Sequence, residues 1–517
     1  MELSEKIARL VMIDFAGTEL PGTAEKHVTA FPWGGFVLFA KNVSSLDQVI
    51  ELNRALSRLS TSPPLIAVDQ EGGTVSRLGD EKYPPHPGAM ALGAGGSVEI
   101  TRGVHRVTGE LLRALGFNMN FAPVLDVNSN PENPIIGVRS FGEDPETVSN
   151  HGIAALQGLA EGGVIPVGKH FPGHGDTQVD SHFGLPTVAH EKSRLLAMEL
   201  RPFQEAVRAG LLALMTAHIL FPALDSHFPA TLSEPILTGL LRGKMGFGGV
   251  VITDSMAMKA ISSHFGTKEA TLLAFKAGAD MILACGTEEE QMRTFEALRD
   301  GVSSGEVPEE RIDKSLERIE NLKKALPKPF GELPPSSTYG ELMRSAALSS
   351  IRVIKNQGDL IPLRLKSEDK LLVVQPLFLP ESPMGGAVLP VPLGQHLWEG
   401  HPLTEEHRFS ITEEKILMDP IIKGAEEAAI IVAALYGRGT VPPAQKELAR
   451  ALIGTGKPVI LISLNHPGLL AGFPEARALV CSYNHREPTI AALSEVLRGE
   501  SEALTRGQGE RTLKSSL

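Results

Sequence analysis

Residues 164–184 read Val-Ile-Pro-Val-Gly-Lys-His-Phe-Pro-Gly-His-Gly-Asp-Thr-Gln-Val-Asp-Ser-His-Phe-Gly. The apolar Val164, Ile165 and Val167 mark a buried strand. From Gly168 to Gly184 one Lys, three His and two Asp are set among four Gly and a Pro. A helix does not tolerate that Gly and Pro content, and an alternating strand has no use for it. The run therefore reads as a strand whose C-terminal end opens into a polar loop, the usual place for reactive side chains on a rigid scaffold. A merely solvated loop is the competing reading.

Working outward, the first ~325 residues repeat the same unit, a short apolar run followed by a helical pattern. Strands are expected at Val11–Ala16, Gly35–Ala40, Leu65–Asp69, Met119–Asp126, Val164–His170, Ala213–His218, Val250–Asp254 and Met281–Cys285. Helical stretches such as Leu46–Leu59, Ile100–Leu115, Thr147–Glu161, Leu195–Ala209 and Lys268–Ala277 lie between them. Continuous apolar strands separated by helices predict a parallel sheet covered on both faces, and eight such units predict a (β/α)8 barrel over residues 1–325. A doubly wound open sheet is the alternative.

Residues 308–325 form a charged amphipathic helix with Ile312, Leu316, Ile319 and Leu322 on one face. The Pro- and Ser-rich stretch after it predicts a linker at 326–345. Apolar runs at Leu371–Gln375, Ala429–Leu435, Val459–Leu464 and Ala478–Ser482 then predict a smaller C-terminal α/β sandwich domain over 346–517. It carries no glycine fingerprint for a dinucleotide.

Composition narrows the function. Of 517 residues 42% are hydrophobic and 21% charged, a soluble globular balance. Lys and Arg number 49 against 61 Asp and Glu, a formal charge of −12, which argues against nucleic acid or an anionic membrane as partner. Two cysteines make no disulfide framework, and Cys285 and Cys481 each adjoin an apolar run, as small buried residues do. The charged start, Met-Glu-Leu-Ser-Glu-Lys-Ile-Ala-Arg-Leu, lacks a signal peptide's apolar segment, so the cytoplasm is the expected compartment.

The strand ends carry the chemistry. Asp69, Asp126, Lys169 with His170, His218 and Asp254 each close an apolar run, and in a barrel those ends meet at one mouth. Asp254, ending Gly-Gly-Val-Val-Ile-Thr-Asp, can attack an anomeric carbon to form a glycosyl ester, or can cap a following helix. Asp180 and His182 lie two apart, which in extended chain puts them on one side. An Asp that bonds one imidazole nitrogen leaves the other to move a proton; a surface Asp–His contact is the plainer reading. His170, His174, Asp176, Asp180 and His182 offer metal-binding atoms, but in no helical zinc spacing, and no metal or cofactor is expected. Asp69, with Arg77 and Arg139, suits a pocket for sugar hydroxyls.

Lys169-His-Phe-Pro-Gly-His-Gly-Asp-Thr followed by Asp180-Ser-His resembles the signature of the β-N-acetylglucosaminidases of glycoside hydrolase family 3. The resemblance extends to Asp69-Gln-Glu-Gly-Gly, Asn133-Pro, Arg139-Ser-Phe-Gly, Ala217-His-Ile and Thr253-Asp-Ser-Met, in order over the first ~325 residues. It implies Asp254 as nucleophile, His182 as general acid/base and Asp180 as its orienting partner. Asp69, Arg77, Arg139, Lys169, His170 and His218 are the implied substrate contacts. The family's usual substrate is a small carbohydrate, a muropeptide fragment with terminal β-linked GlcNAc. A dyad on the barrel points to this branch rather than to the family's β-glucosidases, and phosphorolysis stays open beside hydrolysis. Gly173–Gly175 reads as a hinge for the Asp180–His182 segment, with Lys169 and His170 fixed and His174 structural.

Overall fold

The computed structural model describes residues 1–501 except 21–23, 60–61, 80–81, 179–183, 325, 328, 378–391, 400, 402 and 412–413. Among the described residues, eight parallel strands form one sheet. In chain order they are β1 (Val11–Ile13), β2 (Gly35–Leu38), β3 (Leu65–Val68), β4 (Met119–Asn120), β5 (Ile165–Phe171), β6 (Ala213–Thr216), β7 (Val250–Ile252) and β8 (Ile282–Ala284). Each pairs with its sequence neighbour, and β8 pairs back onto β1. The remaining gap is bridged where Thr253 N–H donates to Met281 O and Met256 N–H to Leu283 O, so the sheet is a nearly closed TIM-like barrel. The strands are buried along their whole length because helices cover the outside and side chains fill the inside.

Two expected elements are interrupted, each at a proline. The fourth strand was expected to run to Asp126, yet the regular ladder stops at Asn120; Pro123 has no N–H to give it. Pairing resumes irregularly, with Lys169 N–H on Pro123 O and Leu125 N–H on Lys169 O. The expected helix Leu195–Ala209 is two helices, Lys192–Ala197 and Arg201–Arg208, with Pro202 in the first turn of the second.

The second domain is a six-stranded sheet, β9 (Arg352–Asn356), β10 (Leu371–Leu377), β11 (Thr404–Ser410), β12 (Ile430–Leu435), β13 (Val459–Ser463) and β14 (Ala478–Cys481), ordered β11-β10-β12-β13-β14-β9. All pairs are parallel except β9 with β14. Along each central strand alternate residues enter opposite cores. Val373, Val432, Ile460 and Val480 lie in one, and Leu372, Ile431, Leu461 and Leu479 in the other. Both faces are therefore covered by helices, which makes the domain a sandwich.

Part of the segment expected as a linker, 326–345, is helical. Residues Ser336–Ser350 form a helix whose Tyr339 and Met343 belong to the barrel core, whereas Ala347 belongs to the second domain's core. An amphipathic helix with two apolar partners is thus shared between the domains. No helix among the described residues is long and apolar enough to cross a membrane.

Candidate active site

The C-terminal ends of the barrel strands surround a cleft of about 390 Å3. Asp69, Glu71, Arg77, Arg139, Lys169 and His170 line one side of its wall, and Asp254 lines it from the end of β7. Apolar side chains, among them Phe39, Met215, Met258 and Leu283, complete it. All the lining residues come from the barrel domain.

The polar side is assembled by the loop after β3. Gln70 folds this loop on itself: its Oε1 accepts from the Arg77 and Leu78 amides, and its Nε2 donates to Ser76 Oγ and Leu78 O. Asn120 on β4 pins Gln70 by its main chain. The loop thereby delivers Asp69, Glu71 and Arg77 to one place. Lys169 Nζ lies 2.6 Å from Asp69 Oδ1 and 2.6 Å from Glu71 Oε1. Arg139 meets Glu71 through Nε and Nη2, both at 2.9 Å, and Arg77 Nη2 stands 3.9 Å from Asp69 Oδ2.

Burial alone would raise the Glu71 carboxyl. The Arg139 guanidinium and the Lys169 ammonium outweigh it and hold the group well below the usual carboxylate range. Burial likewise opposes the charge on Lys169, but Asp69 and Glu71 keep its ammonium above its ordinary value. Glu71 and Lys169 are therefore held in their charged forms. Asp69 is the more open of the cluster's two carboxylates, 17% exposed against 5% for Glu71.

Lys169 and His170 are consecutive on β5 yet both line the cleft. In a regular strand they would face opposite ways. Here the register against β6 shifts between Gly168 and Phe171, and the alternation is broken. His170 is then held from behind by Asp126, whose Oδ2 meets His170 Nδ1 at 2.7 Å while Oδ1 accepts from the main chains of His170 and His174. Burial would raise Asp126, but the two imidazoles and these bonds keep it below its ordinary value. With Nδ1 taken, His170 presents Nε2 to the cleft.

At Gly173–Gly175, expected as a hinge, the backbone is closely packed against its neighbours. A Cβ on Gly175 would stand 1.6 Å from Val127 O, and one on Gly173 would stand 2.8 Å from Glu199 Cβ. These glycines exist so that the chain can pack against its neighbours. Between them His174 is buried, its Nδ1 on Thr177 and its carbonyl receiving Asn133 Nδ2. Burial pushes its pKa down to about 4. The segment up to Thr177 is closely packed and hydrogen-bonded.

Asp180 and His182 lie outside the described residues. Asp254 does not cap a helix, since the next one, Lys259–Ser262, begins after Met258. Its Oδ1 accepts from the Ser255 amide at 2.7 Å. His218, expected among the substrate contacts, does not line the cleft. It donates from Nε2 to Ser255 O at 3.0 Å and meets Thr231 through Nδ1 at 2.8 Å, so it steadies the turn that carries Asp254. Glu71 was given no role from the sequence, and Asp126 was named only as a strand-end residue, not as the partner that holds His170. Asp126 closes an apolar run there, which was its signal; nothing marks Glu71 apart from its neighbour Asp69. Among the described residues no three His, Cys, Asp or Glu side chains are grouped to hold a metal ion.

The fold and cleft define a two-domain protein built on a (β/α)8 barrel, with a wall of ion-paired side chains and a separate strand-end carboxylate at its mouth. The glycosyl hydrolase family 3 N terminal domain model matches residues 2–322, and the chain belongs to that family. It is similar to β-hexosaminidase A of Pseudoalteromonas piscicida, 38% identical over 68% of this chain and 64% of that one, so that it spans just under two thirds of that relative's length. A β-hexosaminidase of Thioalkalivibrio sulfidiphilus (strain HL-EbGR7) is 37% identical over 56% of this chain and 84% of its own. Among solved structures, a glycoside hydrolase family 3 β-N-acetylglucosaminidase from Paenibacillus sp. str. FPU-7 superposes with a TM-score of 0.89 at 36% identity, covering 97% of both chains.

Proposed function

We propose that the protein is a retaining exo-β-N-acetylglucosaminidase that releases terminal β-linked GlcNAc, with peptidoglycan fragments of cell-wall recycling as its substrates. The observation that carries the reading is the position of Asp254, in the same cleft as the Asp69–Lys169–Glu71–Arg139 cluster and without a helix to cap. In this reading Asp69, Arg77, Arg139, Lys169 and His170 hold the sugar's hydroxyl groups. Asp254 attacks the anomeric carbon and forms a glycosyl ester. His182, oriented by Asp180, protonates the departing oxygen and then takes the proton of the incoming water. The dyad's roles rest on the Asp180-Ser-His motif and the family resemblance it carries.

Release of p-nitrophenol from its β-GlcNAc glycoside by the purified protein tests the reading, and loss of that release in Asp254→Ala and in His182→Ala tests the two roles. No turnover by the wild-type protein would sink it. The same assay with inorganic phosphate separates hydrolysis from phosphorolysis: hydrolysis yields free GlcNAc, whereas accumulating GlcNAc-1-phosphate would replace it with phosphorolysis.

A further inference from the structure

We infer that the second domain shapes the sugar-binding wall of the cleft, and that Asn484 is the positioning residue through which it does so. The loops at the C-terminal ends of β12, β13 and β14 point at the barrel. In an open α/β sheet that edge is the ordinary ligand crevice; here it meets the barrel's own loops. Met90 and Ala91 share a small apolar cluster with Cys481 and Tyr483. The backbone at Gly439 lies close enough to Glu132 that a Cβ there would stand 2.9 Å from its carbonyl oxygen. His466 Nε2 lies 3.1 Å from Glu143 Oε1.

The buried contact is Asn484. Its Nδ2 donates to Pro87 O at 2.7 Å and to Thr489 Oγ1 at 3.0 Å, and its Oδ1 accepts from the Arg486 amide. Pro87 belongs to the strip His86–Gly88, which lies directly on the loop that builds the cleft wall. His86 O accepts from the Gly73 amide at 2.8 Å. The His86 ring occupies the space a side chain on Gly72 would need, 2.1 Å from its Cβ, and Gly88 and Gly73 touch backbone to backbone. Gly72 and Gly73 follow Glu71 directly, and Glu71 holds both Arg139 and Lys169. Asn484 thus anchors the strip, the strip holds the glycine pair, and the pair fixes where the Glu71 carboxylate stands. These side-chain partners of Asn484, Pro87, Thr489 and Arg486, are not among the residues that line the cleft.

The inference rests on the proposed glycosidase only for its kinetic readout. Asn484→Asp keeps the oxygen that accepts from the Arg486 amide and removes the N–H given to Pro87; Asn484→Ala removes both. Leu448→Ala, deep in the second domain's other core, destabilises that domain without touching Pro87. Amide hydrogen exchange by mass spectrometry is read over residues 69–78, with KM and kcat on the aryl β-GlcNAc glycoside. Both Asn484 variants are expected to exchange faster over 69–78. KM should rise about fivefold, the factor matching one ordinary hydrogen bond, with kcat within about twofold. Leu448→Ala should lower Tm and leave both readouts near wild type. Unchanged exchange over 69–78 in the Asn484 variants, or equal changes in Leu448→Ala, overturns the inference. Absence of turnover in the wild type would instead count against the proposed function, and the exchange result would still decide this one.

Discussion

Glu71 grips Arg139 at two points, with both N–O distances 2.9 Å, and the same carboxylate takes the Lys169 ammonium at 2.6 Å. All three side chains are largely buried, Glu71 at 5%, Lys169 at 3% and Arg139 at 12% exposure. Glu71 therefore joins two cations that cannot turn to water, with Asp69 as the second partner of Lys169, and ties this wall of the cleft together.

Removing that carboxylate takes the two-point partner from buried Arg139 and leaves Lys169 with Asp69 alone. Glu71→Gln is expected to cost about 3–5 kcal/mol of stability, the usual result of breaking a buried pair from one side. Denaturant titration measures it, and a loss below roughly 1 kcal/mol would mean the pair is solvated after all. KM for a GlcNAc glycoside should rise with it, because Arg139 and Lys169 lose their shared anchor.

Asp254 supports no helix and is bonded to the protein by the adjacent Ser255 amide, among other contacts. Asp254→Ala should reduce kcat by at least about 10^3-fold, as loss of a nucleophile does in other covalent catalysts, with little change in Tm. Wild-type kcat in this variant would remove Asp254 from the chemistry.

Gly175 presses on the backbone of Val127, next to Asp126. A methyl there cannot be accommodated by a side-chain rotation, because the nearest atom is a carbonyl oxygen. Gly175→Ala should destabilise the protein by about 1–3 kcal/mol, as overpacking does, and should depress activity by displacing the Asp126 clamp on His170. Activity and Tm equal to wild type would mean that the Val127 carbonyl gives way to a methyl group.

Acid should loosen the fold in two stages. Burial lowers the pKa of His105 and His174 to about 4, and that of His485 to about 3. Between those values and the unfolded histidine value of about 6.5, the unfolded chain binds more protons, so stability falls as pH falls through that window. The carboxylates of Glu71 and Asp126 act lower. Their depressed pKa values contribute stability above about pH 4 that is lost as pH drops further. Thermal unfolding from pH 7.5 to 4.5 should show Tm declining from about pH 6.5, and His105→Gln should flatten the decline. A flat profile down to pH 5 would contradict neutral buried imidazoles.

Much of this was legible in the chain. The eight barrel strands and four of the six in the second sheet announce themselves as apolar runs, because a strand buried on both faces has no polar side to hide. The two that escaped notice, Arg352–Asn356 and Thr404–Ser410, are the edge strands of the second sheet, where charged residues such as Lys355, Glu405 and Arg408 obscure the pattern. Strand-end polarity located Asp69, Lys169, His170 and Asp254 for the same reason that it located the barrel: a charged residue ending an apolar run needs an open mouth to occupy.

Local pattern thus determined the barrel, the mouth and the residue types gathered there. Which of those residues meet each other is decided by contacts far apart in sequence, and only the tertiary structure supplied it. His218 ends an apolar run as Asp254 does, yet it turns to Thr231 and Ser255 and leaves the cleft wall. The glycines of 173–175 have the composition of a hinge, but their missing side chains are filled by Val127 and Glu199. Glu71 is indistinguishable in sequence from any loop carboxylate until Arg139 and Lys169 close on it. Spacing along the chain sets which way a side chain can point; charge compensation and close packing, which need the folded neighbours, set what it holds.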